Sequence, residues 1–481
     1  MIVEDSEQRS GGAGIKWNAL GLVGRQLVLL LFSVVLARIL GPESYAIVAQ
    51  AQIYTALTAL ILDQGLAAAL IHREMVTRQI LGAMTTVNLL LATVIGVLTI
   101  PLAPALAAFF ATPELAMVLV VLAIGLLFKA VAIVPRAMLV RVLDFRSTAV
   151  ADSVSPIVGG LAGLAAALLG FGYWSLVVQI LVTDVVAALF LVCKAGIARP
   201  NFRFAVLADS VRYSLNIFGG NAVSFLSRNV DNILVGRFLG QASLSFYSIG
   251  YRVLLLPVQM ISQTVIQVLF PALARMRSDP TAVTRATTRS LRGLAAASFP
   301  VMAVVGVSAP ESVPLILGSA WAPVIPLFMI LAFTGARQSI TSINAPVYMA
   351  TGRADVHFRF SIVAAIVQIS GIVCGLPFGI IGVAWGYTIA GVLLTPFMSY
   401  LLKRFSGVGY GAQGRSVAPA LHGALWAIGA YFALRFVIAS PWLLLIAGCF
   451  VAFVVYAVVV LLVHRQYGRL LISDFRLVVA R

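Results

Sequence analysis

The stretch LSRNVDNILVGRFLG, residues 226–240, places charged side chains inside an otherwise apolar helical pattern. The charged residues are Arg228, Asp231 and Arg237. The 481-residue chain around this stretch is 61% hydrophobic and only 10% charged, and its mean hydropathy is +1.04. These values lie outside the range of soluble globular domains. We therefore predict an integral membrane protein in which the charges of residues 226–240 need a specific explanation.

Apolar runs separated by glycine, proline and charge predict about fourteen membrane-spanning helices of roughly 20 residues each. They lie near residues 17–40, 44–70, 80–100, 115–135, 147–169, 173–193, 211–238, 243–272, 287–308, 322–349, 358–377, 380–402, 417–437 and 442–463. The predicted fold class is therefore all-α and polytopic, with no room for a sizeable soluble domain.

Basic residues occur in every second connection between these spans, which predicts their orientation. Because cytoplasmic loops collect Lys and Arg, the basic connections should face the cytoplasm, and both termini with them. Connections without Lys or Arg, among them 101–114 and 309–314, should face outward. The formal charge of +17 is then a topology signal rather than a nucleic-acid footprint. The basic face is also expected to attract anionic membrane lipid.

Two pairs of segments indicate an internal repeat. LARILGPESYAIVAQ at 36–50 is similar to VGRFLGQASLSFYSIG at 235–250, and LDFRSTAVAD at 143–152 is similar to VHFRFSIVAA at 356–365. Repeated six-helix lobes around a central cavity are typical of secondary transporters. Chance recurrence of Gly, Leu and Arg at helix ends remains the alternative. The predicted domains are a cytoplasmic N-terminal tail (1–16), a first six-helix lobe (17–193), a cytoplasmic linker (194–210), a second six-helix lobe (211–405), two additional helices (406–464) and a cytoplasmic tail (465–481).

Four arginines fall well inside predicted spans: Arg25, Arg228, Arg252 and Arg337. A lone arginine at the bilayer centre costs roughly 2.5–3.5 kcal/mol, so these side chains should face an internal cavity. Such a cavity suits an anion, and the planar guanidinium fork suits phosphate. A structural Arg228–Asp231 salt bridge is an equal alternative for that pair. Arg38, Arg237 and Arg435 lie near outward helix ends, where snorkelling to headgroups is expected.

Several chemistries lack the residues that they need. Cys193, Cys374 and Cys449 lie in apolar spans without CxxC spacing, and the four histidines are scattered, which predicts neither a metal site nor nucleophilic catalysis. No phosphate-binding GxxxxGK[ST] loop is present in the sequence. Short outward loops also argue against a membrane polymerase or glycosyltransferase. We predict a transporter, with no catalytic residue and no bound cofactor.

The segments LARILGPESYAIVAQ (36–50), LILDQGLAAALIHRE (60–74) and RNVDNILVGRFLGQASLSFYSIGYRV (228–253) carry a family resemblance. Together they resemble the Wzx-like polysaccharide transporters that flip lipid-linked oligosaccharides, and most of all the colanic-acid-exporter-like group. These proteins belong to the multidrug/oligosaccharidyl-lipid/polysaccharide superfamily. The resemblance covers about residues 15–405 and fades over the last two helices and the tail.

The resemblance implies a bacterial inner-membrane flippase that moves undecaprenyl-diphosphate-linked repeat units outward by alternating access, supplying surface polysaccharide polymerase and chain-length machinery. Arg25, Arg228, Arg252 and Arg337 would then bind the diphosphate. Membrane potential alone could drive export, or H⁺ or Na⁺ coupling could act through Asp63, Asp152 or Asp231. A cation-coupled multidrug antiporter of the same superfamily is the main alternative, and it should show an acidic, aromatic cavity instead.

Overall fold

The computed structural model describes residues 2–63, 70, 76–204, 218, 225 and 229–479. Side chains are described within these ranges from residue 24 onward, apart from 25, 27, 254, 264, 267, 268, 271, 354 and 475–479. The labelled helices are α1 (Ile2–Asp63), α2 (Arg78–Phe109), α3 (Glu114–Arg141), α4 (Phe145–Leu168), α5 (Trp174–Ala195), α6 (Gly240–Arg275), α7 (Pro280–Val307), α8 (Ala309–Ile316), α9 (Ile325–Thr341), α10 (Asn344–Ala350), α11 (Ala354–Gly375), α12 (Gly379–Ser406), α13 (Tyr410–Leu434), α14 (Pro441–Val458) and α15 (Arg465–Val479). Residues 229–238 are also helical.

Eleven helical stretches of the described residues are long and apolar enough to cross a membrane, which confirms the polytopic all-α fold class. Two of them, Val28–Asp63 and Asp355–Ser406, each contain two predicted spans. The first is broken at Gly41, whose φ of 73° places it in the left-handed region, and Pro42 follows. The second changes direction at the 3₁₀ turn Leu376–Phe378. The predicted span 211–238 lies mostly outside the described residues.

Two connections that the sequence placed between spans, 101–114 and 309–314, are largely helical. Helix α2 continues through Pro101 and Pro104 to Phe109, so most of the predicted 101–114 loop is helical. Proline is tolerated there because neighbouring groups in a membrane protein can satisfy the freed carbonyls. The predicted outward loop 309–314 forms α8. The predicted span 322–349 divides into α9 and α10, and the predicted tail 465–481 contains α15.

The chain divides into two compact units, residues 1–245 and residues 246–481, which we call the first and second unit. The lobe boundaries proposed from the sequence repeat stay a prediction. In the first unit α4 packs closely along α5 and also contacts α1, while α3 packs between α2 and α5. A Cβ at Gly159 of α4 would lie 2.7 Å from the Gln179 carbonyl oxygen of α5, so glycine permits this close helix contact.

In the second unit α7 packs against α9 and α13, α11 packs against α12, and α13 packs against α14. Its core includes the fully buried residues Leu294, Ile343, Val347 and Tyr348, which join α7 to α10 and to the turn before it. Helix α11 approaches α12 so closely that a Cβ at Gly371 would collide with the Gly386 carbonyl oxygen. Small residues at such contacts let the two helix backbones approach closely. The resulting van der Waals packing drives helix association in lipid, where a hydrophobic driving force between helices is absent.

Candidate functional site

The four arginines that the sequence predicts inside the membrane are described by the structure to different extents. Arg228 lies outside the described residues, and so does the side chain of Arg25. Arg252 is half-buried on α6. Arg337 is the most fully described, because it lies on α9 with only 9% of its surface exposed.

The three acids predicted for ion coupling or pairing differ in their exposure and in their partners. Asp63 is the exposed last residue of α1. Asp231 is only 5% exposed, and its Oδ1 accepts a hydrogen bond from the Asn232 backbone N–H at 2.8 Å. Asp152 forms an ion pair with Arg136. The predicted Arg228–Asp231 pair stays a prediction because Arg228 is not described.

Arg337 lies near the end of α9, where it faces a glycine on α12. A Cβ at Gly391 would collide with the guanidinium Nη2 and would lie 2.9 Å from Nε. That Nε is buried and has no hydrogen-bond partner. Among the residues that the structure describes, no carboxylate pairs with Arg337. Since burying a guanidinium without a counter-charge is costly, this position favours a bound anion.

Neutral polar side chains connect α9 to α12 beside this guanidinium. The hydroxyls of Thr334 and Thr388 lie 2.6 Å apart, and Gln338 Nε2 donates to the Tyr387 hydroxyl at 2.8 Å. The Tyr387 hydroxyl lies 3.3 Å from the Tyr251 hydroxyl, which brings α6 to the same place. These groups can donate hydrogen bonds to an anion but supply no negative charge at neutral pH. We call Arg337, Gly391, Gln338, Tyr387 and Tyr251 the Arg337 site.

The local sequence explains how α9 presents this set. Thr334, Gln338 and Thr341 recur at spacings of four and three residues, so they share one face of the helix with Arg337. The partners Tyr387 and Thr388 come from a Gly-rich stretch of α12. Sequence reasoning found Arg337 but missed these neutral partners. Their helical spacing was the available signal, although it could not identify which helix they face.

A cavity of about 260 Å³ lies further along the same helices. Its polar lining comes from Thr341, Asn344, Thr395, Ser399, Tyr410 and Gln413. Asn344 is 4% exposed, and its Oδ1 has no hydrogen-bond partner. The described lining carries no charged residue. A neutral cavity with a mixed polar and apolar lining thus follows the cationic Arg337 site along α9.

The first unit contains a different kind of polar cavity, of about 200 Å³. Arg136 on α3 donates two hydrogen bonds to Asp152 on α4, at 3.1 and 2.7 Å. Lys129, on the same helix as Arg136, lies 3.4 Å from Asp184 of α5. Both basic side chains therefore have carboxylate partners. The sequence predicted Asp152 as a candidate acid, and the structure identifies Arg136 of α3 as its partner.

Arg435 forms an ion pair in the second unit. Its Nε donates to Glu311 Oε1 at 2.7 Å and its Nη2 donates to Oε2 at 3.0 Å. The expected snorkelling of Arg435 to headgroups stays a prediction. The Tyr431 hydroxyl also donates to Glu311, at 3.2 Å. Glu311 belongs to α8, which the sequence placed in an outward loop. The same Glu311 therefore ties the end of α13 to α8.

Titratable groups within the described part of the chain suggest no resident metal. No group of three or more His, Cys, Asp or Glu side chains among these residues could hold one. The three cysteines are unpaired; Cys193 and Cys374 are exposed and Cys449 is half-buried.

Two solved structures share the fold of this chain. The lipid II flippase MurJ in an inward closed conformation has a TM-score of 0.79 at 15% identity, over 93% of this chain and 99% of that one. An inward-facing multidrug resistance MATE family transporter has a TM-score of 0.61 at 16% identity, over 79% and 95%. At such identities the likeness establishes the fold alone.

Curated relatives match nearly end to end. The succinoglycan biosynthesis transport protein ExoT of Rhizobium meliloti (strain 1021) is 27% identical over 96% of this chain and 95% of its own length. The lipopolysaccharide biosynthesis protein WzxC of Escherichia coli (strain K12) is 24% identical over 83% and 82%. The model of the family described as "Polysaccharide biosynthesis protein" matches residues 35–326, more than half of the chain. The chain therefore belongs to this polysaccharide biosynthesis protein family.

Proposed function

We propose that this protein is a flippase of the bacterial inner membrane that exports lipid-linked oligosaccharide repeat units for surface polysaccharide synthesis. The observation that carries the proposal is Arg337, a buried guanidinium without a carboxylate partner among the described residues, in a chain of a polysaccharide biosynthesis family. The end-to-end match to a succinoglycan transport protein supports transport rather than catalysis.

The Arg337 site suits the anionic part of such a substrate. A diphosphate diester carries about two negative charges, and a guanidinium can bind two of its oxygens at once. The hydroxyls of Tyr387 and Tyr251 lie beside Arg337 on the helices that surround it and can donate further hydrogen bonds. The neutral cavity beside Asn344 offers amide and hydroxyl groups of the kind that sugars bind. The prenyl chain would remain in lipid.

Export of an anion needs a driving force, which the membrane can supply. With the cytoplasm negative, each uncompensated negative charge that moves outward gains roughly 2.3 kcal/mol per 100 mV. We propose that alternating access uses this potential, with H⁺ or Na⁺ coupling through Asp63, Asp152 or Asp231 as a further possibility. The topology in this proposal has both termini in the cytoplasm, and the product passes to polysaccharide polymerase and chain-length machinery.

The decisive experiment is deletion of the gene in its native bacterium, followed by measurement of surface polysaccharide, lipid-linked repeat units and drug susceptibility. We expect surface polymer to disappear while complete repeat units accumulate on the inner leaflet, and the plasmid-borne wild-type gene to restore export. Normal polymer with raised drug sensitivity would overturn the proposal in favour of a multidrug antiporter. Absence of any complete repeat unit would instead indicate an enzyme of assembly.

A further inference from the structure

The C-terminal helix α15 is amphipathic and is held against the second unit. The last membrane span, Pro441–Val463, ends in a π-helical turn, and α15 begins directly after His464. The chain folds back at once, because a Cβ at Gly468 would lie 3.1 Å from the Leu461 Cα. Helix α15 therefore lies beside the end of the span instead of continuing it.

Two side chains fasten α15 to the starts of other spans. Tyr467 is only 6% exposed. Its hydroxyl lies 3.2 Å from the Arg292 carbonyl oxygen of α7 and 3.1 Å from the Ser416 carbonyl oxygen of α13. Asp474 forms ion pairs with Arg289 at 2.6 Å and with Arg292 at 3.2 Å. Helix α15 is thus fixed at the membrane end where α7 and α13 begin.

The face of α15 opposite Tyr467 is exposed and carries Arg465, Arg469 and the apolar Ile472, while the apolar Leu470 is exposed on the flank nearer to Tyr467. Arg465 and Arg469 are both exposed and, being four residues apart, share one face of the helix. Arg465 Nε donates to the Leu462 carbonyl at 3.3 Å, within the same turn. Leu470 and Ile472 are 49% and 46% exposed. Helices of this composition lie in the membrane interface, with basic groups at headgroup level and apolar side chains in the acyl boundary.

We propose that the exposed face of α15 binds anionic phospholipid headgroups of the adjoining leaflet, with Arg465 and Arg469 contacting the phosphate. This is the leaflet that the distribution of basic loops predicts as cytoplasmic, where anionic lipids hold basic segments. Asp474 is engaged by Arg289 and Arg292, so Arg465 and Arg469 are the positively charged side chains that α15 presents to lipid among its described residues. The proposal is independent of the transported substrate.

The test is native mass spectrometry of the purified full-length protein titrated with phosphatidylglycerol or with phosphatidylcholine. We expect wild type to retain phosphatidylglycerol in preference, and R465Q/R469Q to bind it on the order of tenfold more weakly, since each basic residue near an anionic surface contributes several-fold. R465K/R469K should retain most of the binding. The matched control is R275Q/R277Q, which removes two exposed arginines from another basic connection.

Three results would overturn the proposal. One is unchanged phosphatidylglycerol binding by R465Q/R469Q. Another is an equal loss in R275Q/R277Q, which would indicate a diffuse basic surface instead of a site on α15. The third is displacement of the lipid by inorganic phosphate at similar concentration, which would indicate a phosphate site without preference for lipid. Far-UV circular dichroism and a monodisperse elution profile would verify that each variant is folded.

Discussion

The first-unit cavity lined by Lys129 and Arg136 and the Arg337 site of the second unit compensate positive charge in opposite ways. In the first unit Lys129 and Arg136 each have a carboxylate partner on a neighbouring helix. In the second unit Arg337 is more deeply buried than either and is surrounded by hydroxyl and amide groups, with no carboxylate among the described residues. Paired charges join helices and stabilise a fold. An unpaired one lowers stability, so its retention indicates a use other than folding.

The largest expected effect comes from replacing Arg337 with Leu. Export should fall by at least about tenfold, because the only described cation of this site is removed. Stability should stay the same or rise by up to about 2 kcal/mol, since replacing a buried charge with an apolar side chain is often neutral or stabilising. Surface polysaccharide reports export, and the melting temperature of purified protein reports stability.

The comparison predicts the reverse pattern for Arg136→Leu in the first unit. Export per folded molecule should remain within about twofold of wild type, while stability falls by about 1–2 kcal/mol because Asp152 loses its partner. If Arg337→Leu exported normally, or if both variants lost export equally, the distinction between a binding charge and a structural pair would be wrong.

A smaller but more specific effect is expected from Gly391→Ala. The new methyl group would displace the Arg337 guanidinium without removing its charge, so export should fall several-fold and overpacking should cost about 1 kcal/mol. Gly429→Ala is the control, because a Cβ at Gly429 meets no atom within 4 Å. Melting temperature and surface polymer are measured for both variants and for G391A/R337L.

The double variant tests whether the stability loss of Gly391→Ala comes from a clash with Arg337 or with another group. Leucine is shorter than arginine, so G391A/R337L should regain the stability lost in Gly391→Ala while export stays low. An equal stability loss in the single and double variants would mean that the methyl group meets something other than Arg337.

The ion pairs of the first unit should differ in strength. Arg136 contacts Asp152 through two hydrogen bonds, whereas Lys129 makes a single 3.4 Å approach to Asp184. Double-mutant cycles with Gln and Asn replacements should give coupling of about 1 kcal/mol for the first pair and less than about 0.5 kcal/mol for the second. Equal couplings, measured by denaturation in detergent, would show that bidentate geometry contributes nothing here.

Composition and hydropathy were sufficient to predict the membrane class, because no soluble fold tolerates so apolar a chain. The charge of the connections could not predict α8, since Glu311 forms its pair with Arg435 over 100 residues away in sequence. Likewise, helical spacing places no acid beside Arg337 in the sequence, but it could not identify Tyr387 and Gly391 on another helix. Partners within one helix follow from spacing, whereas partners between helices require the packing.

The smallest effect concerns a half-buried charge of the first unit that, unlike Arg337, has hydrogen-bond partners within its own helix start. Asp144 caps α4: its carboxylate accepts hydrogen bonds from the Ser147 hydroxyl at 2.7 Å and the Ser147 backbone N–H at 3.0 Å. These hydrogen bonds lower the pKa of Asp144 below its ordinary value of 3.8.

A carboxyl whose folded pKa is lowered stabilises the fold fully above its unfolded pKa and loses this contribution as pH falls through the folded value. At pH 6 Asp144→Ala should therefore be less stable than wild type by about 0.5–1 kcal/mol, the usual contribution of such a cap. Below about pH 4 the difference in melting temperature should narrow. A gap that stays constant down to pH 3 would show that the cap acts through neutral hydrogen bonding, and that local satisfaction of this charge adds nothing to stability.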